Sequence, residues 1–260
     1  DTFEEDRVFV LDAGNYRVQV IDEDGDYISQ WGKRGKGDGE FDDPVTLVVD
    51  EDNEVIYTLD REKVRVDKFT LEGEHLLSFG EEGLRKGRLR DPVDLTVDYQ
   101  GYVYVLDRGR GAVLKYHRSG TFVDEWGDLG RRSKEFQDPV SLAFSRKRLG
   151  TICVLDRGRR ALINFDRKGN FEEIVPLEEA FPGGENPLRV RSDERGDLFI
   201  LDGNQGKLVW LRDSKIHVFG LTSEKGSMES PAGLAVDEEG RIYVSDIKRN
   251  RIFRYILEPN

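Results

Sequence analysis

Short runs of apolar and β-branched residues follow one another along the whole chain, cut at close intervals by Gly, Asp, Asn and charged pairs. Helical spacing is nowhere sustained over ten residues, so the pattern predicts strands and tight turns. Six of the runs close on Leu-Asp or Ser-Asp: VFVLD, VIYTLD, VYVLD, ICVLD, LFILD and IYVSD, ending at Asp12, Asp60, Asp107, Asp156, Asp202 and Asp246. Successive aspartates lie 44 to 49 residues apart, which marks a repeat. Two further markers keep the same register. Pro44, Pro92, Pro139, Pro187 and Pro231 precede every run but the first, and an aromatic-Gly pair recurs at Trp31-Gly32, Phe79-Gly80, Trp126-Gly127 and Phe219-Gly220.

The second unit shows the internal plan. PVTLVVD, EVIYTLD, VRVDKFT and HLLSFG read as four strands, each bounded by turn residues. Units of about 45 residues with four strands each predict propeller blades, whose edges are short and protected. The expected fold is all-β: a six-bladed β-propeller of four-stranded antiparallel blades, its ring closed between the N- and C-terminal units. One domain over residues 1–260 would hold units at approximately 1–40, 41–88, 89–135, 136–185, 186–228 and 229–260. Unit one has its second, third and fourth strands, and Thr2-Phe3-Glu4 is either an edge strand or a lead-in. Unit six stops after its third strand, RIFRYIL. The one helix candidate is the insert around PLEEAF in unit four.

Residues 231–252, PAGLAVDEEGRIYVSDIKRNRI, carry Pro-x-x-Leu-x-Val-Asp, Gly-x-Ile-Tyr-Val-x-Asp and Asn-x-Arg-Ile in succession. This resembles the NHL repeat, and the similarity extends over residues 7–257. The resemblance implies a propeller, and it implies little about function, since the family includes scaffolds, sensors, RNA binders and a few enzymes.

The repeated aspartates suit structure better than chemistry. A carboxylate at a strand end accepts N–H groups of the following loop, and a cation five residues on (Arg17, Arg65, Lys207, Arg251) predicts an Asp–Arg pair across the hairpin. Units three and four depart from this, with Ala112 and Ala161 at that offset. They carry Arg108 and Arg110 in DRGRGA, and Arg157, Arg159 and Arg160 in DRGRRA. Arginine suits planar recognition of carboxylate or phosphate, so these five are candidate partner-binding residues. The plain alternative pairs them with acidic residues on the loops joining blades. A second candidate set lies two residues after the repeat proline, where Gly233 keeps the usual Gly and Thr46, Asp94, Ser141 and Arg189 replace it. Asp94 and Arg189 would stand near the central channel.

Other chemistry is discounted. His75, His117 and His217 fall on outer strands and do not make a zinc site. The Asp22 to Asp26 turn lacks the distal Glu of a calcium loop. The lone Cys153 reads as a small core residue and excludes a disulfide framework. Phe9, Tyr57, Tyr104, Phe199 and Tyr243 recur at one register as interblade core. No metal, cofactor or catalytic group is expected.

Charge sharpens the picture. The chain has 40 basic and 52 acidic residues, a net charge of -12, which opposes generic nucleic-acid binding. The five residues after each repeat aspartate nevertheless sum to +12, while turns such as Asp22-Glu23-Asp24 are acidic. Such polarity steers a partner to one face. No apolar run reaches 18 residues, so no membrane helix is expected. A start at Asp1 favours an extracytoplasmic location, with compartment and oligomeric state otherwise open. The expected function is a non-enzymatic binding or scaffolding module that captures a protein or other anionic partner on the second-to-third-strand loops. The alternatives are a propeller lyase or hydrolase using Asp94 and Arg189, and an RNA-binding propeller.

Overall fold

The structure is a computed structural model that describes residues 2–3, 7–147, 149–183, 185–204, 206–213, 215–223 and 226–257. It divides into two compact units, Asp1–Leu129 and Gly130–Asn260, each holding three antiparallel sheets that correspond to three repeats, with a further two-stranded sheet of Thr222–Ser223 and Gly226–Ser227 in the second.

In the first unit, blade 1 comprises Thr2–Phe3, Arg7–Asp12, Arg17–Ile21 and Tyr27–Trp31. Blade 2 comprises Pro44–Asp50, Val55–Asp60, Arg65–Thr70 and His75–Phe79. Blade 3 comprises Pro92–Val97, Val103–Asp107, Ala112–Tyr116 and Phe122–Trp126. The second unit holds blade 4 (Pro139–Ser145, Thr151–Asp156, Ala161–Asp166, Phe171–Pro176) and blade 5 (Pro187–Ser192, Leu198–Asp202, Lys207–Arg212, Lys215–Gly220). Blade 6 follows with Pro231–Val236, Arg241–Asp246 and Arg251–Ile256. Strands pair in chain order within each sheet.

Burial explains the composition of the strands. First strands of blades 2 and 3, 4 and 5, and 5 and 6 lie side by side, and every residue of Val55–Asp60 is buried because the sheets of blades 1 and 3 cover its two faces. Fourth strands such as Tyr27–Trp31 are largely exposed. Interblade cores follow: Phe9, Val18, Ile56 and Phe69 between blades 1 and 2, and Tyr57, Leu95, Val105 and Leu114 between blades 2 and 3. In the second unit, Leu155, Leu162, Val190 and Ile200 fill the space between blades 4 and 5, and Leu201, Leu208, Ile242 and Val244 that between 5 and 6. The aromatic-Gly marker has a steric cause at Gly32, where φ is +98° and a Cβ would stand 2.6 Å from the Phe41 ring.

Two details differ from the sequence reading. Thr2 and Phe3 pair with Val8 and Arg7, giving blade 1 its first strand, while Glu4 lies outside the described residues. The PLEEAF insert makes one turn, closed by the Phe181 N–H on the Leu177 carbonyl at 2.8 Å, because Pro176 and Pro182 bracket it too closely for a helix. Leu177, Ala180 and Phe181 bury themselves in the blade 4–5 core.

The hairpins joining second and third strands share one backbone feature in all six blades. The residue four after the repeat aspartate is left-handed each time: Tyr16, Val64, Gly111, Arg160, Gly206 and Asn250, with φ of 56°, 49°, 62°, 49°, 58° and 50°. Gly and Asn adopt this conformation readily, whereas Val, Tyr and Arg pay for their Cβ. Replacing Arg160 by Asn, as blade 6 already has, relieves a backbone cost of about 0.5–1 kcal/mol but gives up the Arg160 side-chain bonds to the Phe181 and Pro182 carbonyls, so the thermal midpoint is expected to stay close to that of wild type.

Candidate functional site

Five of the six repeat carboxylates are clamps. Asp60, fully buried, accepts the N–H groups of Asp42 and Asp43 from the loop entering its blade and that of Lys63 from its own hairpin. Asp107 does the same with Arg90, Asp91 and Arg110, Asp156 with Gln137, Asp138 and Arg159, and Asp246 with Glu229, Ser230 and Arg249. Asp202 holds Asn186 and Asn204. Burial raises the pKa of Asp107, against the pull of its three backbone N–H groups and of the Arg110 guanidinium. The expected hairpin pair forms in blade 1, where Arg17 Nε donates to Asp12 at 2.9 Å. In blade 2 Arg65 turns to Asp67 instead, and in blade 5 Lys207 turns to Glu185 and the Ala180 carbonyl. Backbone donors already saturate the buried carboxylates there, so the cation finds another anion.

The candidate arginines fall into two kinds. Arg108 and Arg157 directly follow their aspartates and reach the Asp that precedes the blade's proline. Arg108 places Nε and Nη2 at 2.9 Å from Asp91, and Arg157 places Nε 2.7 Å from Asp138 and Nη1 2.7 Å from Asn186 Oδ1. Their side chains remain 41% and 35% exposed. Arg61 of blade 2, which sequence reasoning passed over, repeats the arrangement on Asp43. The signal was present: Asp before the proline and Arg after the repeat aspartate occur together in units two, three and four. Where Asn186 or Ser230 precedes the proline, Gly203 or Ile247 stands at the arginine's place.

Arg110 and Arg159 are turned inward on the loops that join blades, and Arg160, itself exposed, also bonds to such a loop. Arg110 binds both oxygens of Glu125 and the carbonyls of Leu84 and Arg85. Arg159 donates to the carbonyls of Gly130 and Arg132, and Arg160 to those of Phe181 and Pro182. Arg108 and Arg110 share one hairpin in the first unit, and Arg157, Arg159 and Arg160 share one in the second.

The residues two after the proline sit just past a bulge in each first strand. Asp94 is fully buried and accepts the Leu95 N–H at 3.0 Å; Arg189, in the other unit, is half-buried opposite Leu201. Ser141 serves packing: its Oγ accepts the Val190 N–H of the next blade at 3.1 Å. The Asp22 turn closes on its own N–H groups, those of Asp24 and Asp26. One Ser/His/Asp set does assemble, on outer strands of blade 2. Ser78 Oγ donates to Asp67 and touches His75 Nε2 at 2.9 Å. Its order is wrong for activation, because the hydroxyl proton goes to a carboxylate already neutralised by Lys63 and Arg65, leaving His75 no proton to take.

Comparison with known proteins agrees with this geometry. A family described as a 6-bladed beta-propeller matches residues 2–80, and the NHL repeat matches residues 229–255. No curated protein matches the sequence. Among solved structures, the chain is similar to a catalytically inactive variant of virginiamycin B lyase from Staphylococcus aureus with quinupristin (12% identity, 96% of this chain and 78% of that one, TM-score 0.66). It is similar also to a gluconolactonase from Xanthomonas campestris (16% identity, 92% and 79%, TM-score 0.68) and to a chain of a nidogen/laminin complex (16%, 83% and 76%, TM-score 0.64). At such identities the likeness speaks for fold alone. With six repeats in one register, six blade sheets in chain order and a six-bladed propeller family matching residues 2–80, the chain has the six-bladed β-propeller fold, and its residues 229–255 carry an NHL repeat.

Proposed function

We propose that the protein is a non-enzymatic binding module that captures an acidic protein partner on its second-to-third-strand hairpins. The observation that carries this reading is the pair of half-exposed, braced guanidinium groups of Arg108 and Arg157. A carboxylate fixes one edge of each, so little side-chain entropy remains to be lost when the other edge meets an anion. Arg61 extends the set. Arg110, Arg159 and Arg160 support it by holding the joining loops still. The nidogen/laminin likeness supports the reading as an instance of this fold in a protein–protein complex. The alternative, a lyase or hydrolase working through Asp94 and Arg189, draws its support from the fold shared with the lyase and the gluconolactonase.

A labelled poly-glutamate peptide tests the binding reading by fluorescence anisotropy. Replacing both Arg108 and Arg157 by Ala is expected to weaken binding about tenfold or more, and added salt to weaken it further. Lys168→Ala, in the turn at the far end of blade 4, should leave affinity unchanged. Undiminished binding by the double variant refutes the reading. Both ion pairs lie at the surface and remain partly open to solvent, so each should cost stability no more than about 1 kcal/mol when lost.

A further inference from the structure

One repeat position is broken in blade 4. Three residues before the repeat aspartate, the second strand carries Phe9, Tyr57, Tyr104, Phe199 and Tyr243, all buried, and in blade 4 it carries Cys153. A second position changes with it. The first strands of blades 2, 3, 5 and 6 run into Asp50, Asp98, Asp193 and Asp237, whereas blade 4 has Ser145. These two positions touch: Tyr104 donates its hydroxyl to Asp98 at 2.9 Å, and Tyr243 donates to Asp237 at 3.1 Å. Across the third strand, Lys68 lies 5.5 Å from the Tyr57 ring centre, Lys115 lies 5.2 Å from that of Tyr104, and Trp210 stacks on Phe199 at 5.7 Å. Blade 4 has the shorter Asn164 there, opposite Cys153. Ring, ring partner and cover are all lost in one blade.

A cleft of about 820 Å³ occupies the place. It opens between blades 4 and 5, both in the second unit, and its floor includes Ser145, Cys153, Asn164, Leu198, Leu211 and Ile216. The size falls within the range of small-molecule sites. Burial pushes the Cys153 thiol up to about 12, so it is a neutral, polarisable wall. Asn164 is 7% exposed, and among the described residues its Oδ1 has no hydrogen-bond partner. A buried acceptor without a donor is costly, and the soft terminal torsion of an Asn lets it turn to one that arrives. The rim is acidic. Glu173, Glu178, Glu179 and Asp213 line it, and among the described residues its one lining ammonium, Lys147, lies 2.7 Å from Asp197.

We infer that this cleft is a binding site for a small aromatic amine. Its ring stands where the other five blades place Phe or Tyr, and its ammonium lies among the rim carboxylates. Its donors satisfy Asn164. An anionic aromatic meets the same apolar walls with the wrong charge, and an aliphatic amine leaves the ring's place empty. This site is separate from the arginine hairpins, and neither depends on the other.

Tyramine titrated into the full chain, followed by methyl NMR, tests the inference. Saturable shifts are expected at Leu198, Leu211 and Ile216, with half-saturation at about 1 mM or below for so small a ligand. 3-(4-Hydroxyphenyl)propionate and n-butylamine should each bind at least tenfold more weakly. The double variant Cys153→Tyr/Ser145→Asp, which restores the side chains of blades 3 and 6, should lose the shifts. Glu178→Gln with Glu179→Gln should weaken tyramine about threefold to tenfold. The inference fails if wild type shows no saturable shift at these methyls, if the acid binds as well as the amine, or if the filled variant still binds. Should that variant not fold, the wild-type methyl map and the amine-to-acid ratio decide the matter.

Discussion

Asp156→Ala is expected to destabilise the second unit by about 3–5 kcal/mol. The carboxylate is fully buried and accepts three backbone N–H groups, those of Gln137, Asp138 and Arg159. Alanine leaves three donors without partners in a site that water does not reach, and each such orphan costs about 1–3 kcal/mol before local relaxation. Asn keeps one acceptor oxygen but sets an amide against the N–H groups, so Asp156→Asn should fall between wild type and Ala. The checks are the urea midpoint and native-state hydrogen exchange. Exchange of the amides of Gln137, Asp138 and Arg159 should accelerate together, since one acceptor serves all three. A loss below about 1 kcal/mol, or acceleration at Arg159 alone, contradicts the clamp.

Tyr57→Ala should cost about 3–5 kcal/mol in the first unit, as truncation of a buried aromatic does when its neighbours cannot close in. The ring is fully buried between blades 2 and 3, edge-on to Phe79 at 6.3 Å and beneath Lys68. Tyr57→Phe separates ring from hydroxyl. Among the described residues the Tyr57 hydroxyl is buried without a partner, and burial raises its pKa. Removing an unpaired buried hydroxyl leaves stability unchanged or slightly higher. The two variants should therefore move the thermal midpoint by very different amounts, and a Phe variant as damaging as Ala would mean that the hydroxyl is bonded.

Much of this was legible because the chain repeats. Proline, Leu-Asp and aromatic-Gly markers in one register define the blades, and Pro44–Asp50 through His75–Phe79 fall where the sequence of unit two places them. What repetition could not reveal is which partner a charged residue takes. The +5 cation was expected on the repeat aspartate, but Arg65 goes to Asp67 because backbone N–H groups fill the buried acceptor first. The braced arginines were readable only by comparing units, through the shared presence of Asp43 with Arg61, Asp91 with Arg108 and Asp138 with Arg157. Cys153 shows a third limit. Five aromatics and one cysteine in register are visible in the sequence, yet a missing side chain becomes a cleft only if its neighbours fail to fill the space. That depends on Ala143 and Asn164 being short, and on how the next sheet approaches.

The aspartate clamp also fixes where one blade ends and the next begins in heredity. From blade 2 to blade 6, each carboxylate grips the stretch that enters its own blade as well as its own hairpin. A duplicated segment beginning at the proline would copy the acceptor and leave its donors behind. A segment beginning just after the aromatic-Gly pair carries both halves of the latch. The inheritable cassette is thus displaced by about a dozen residues from the repeat that the eye picks out, and recombination between blades should be tolerated at that junction and penalised at the proline.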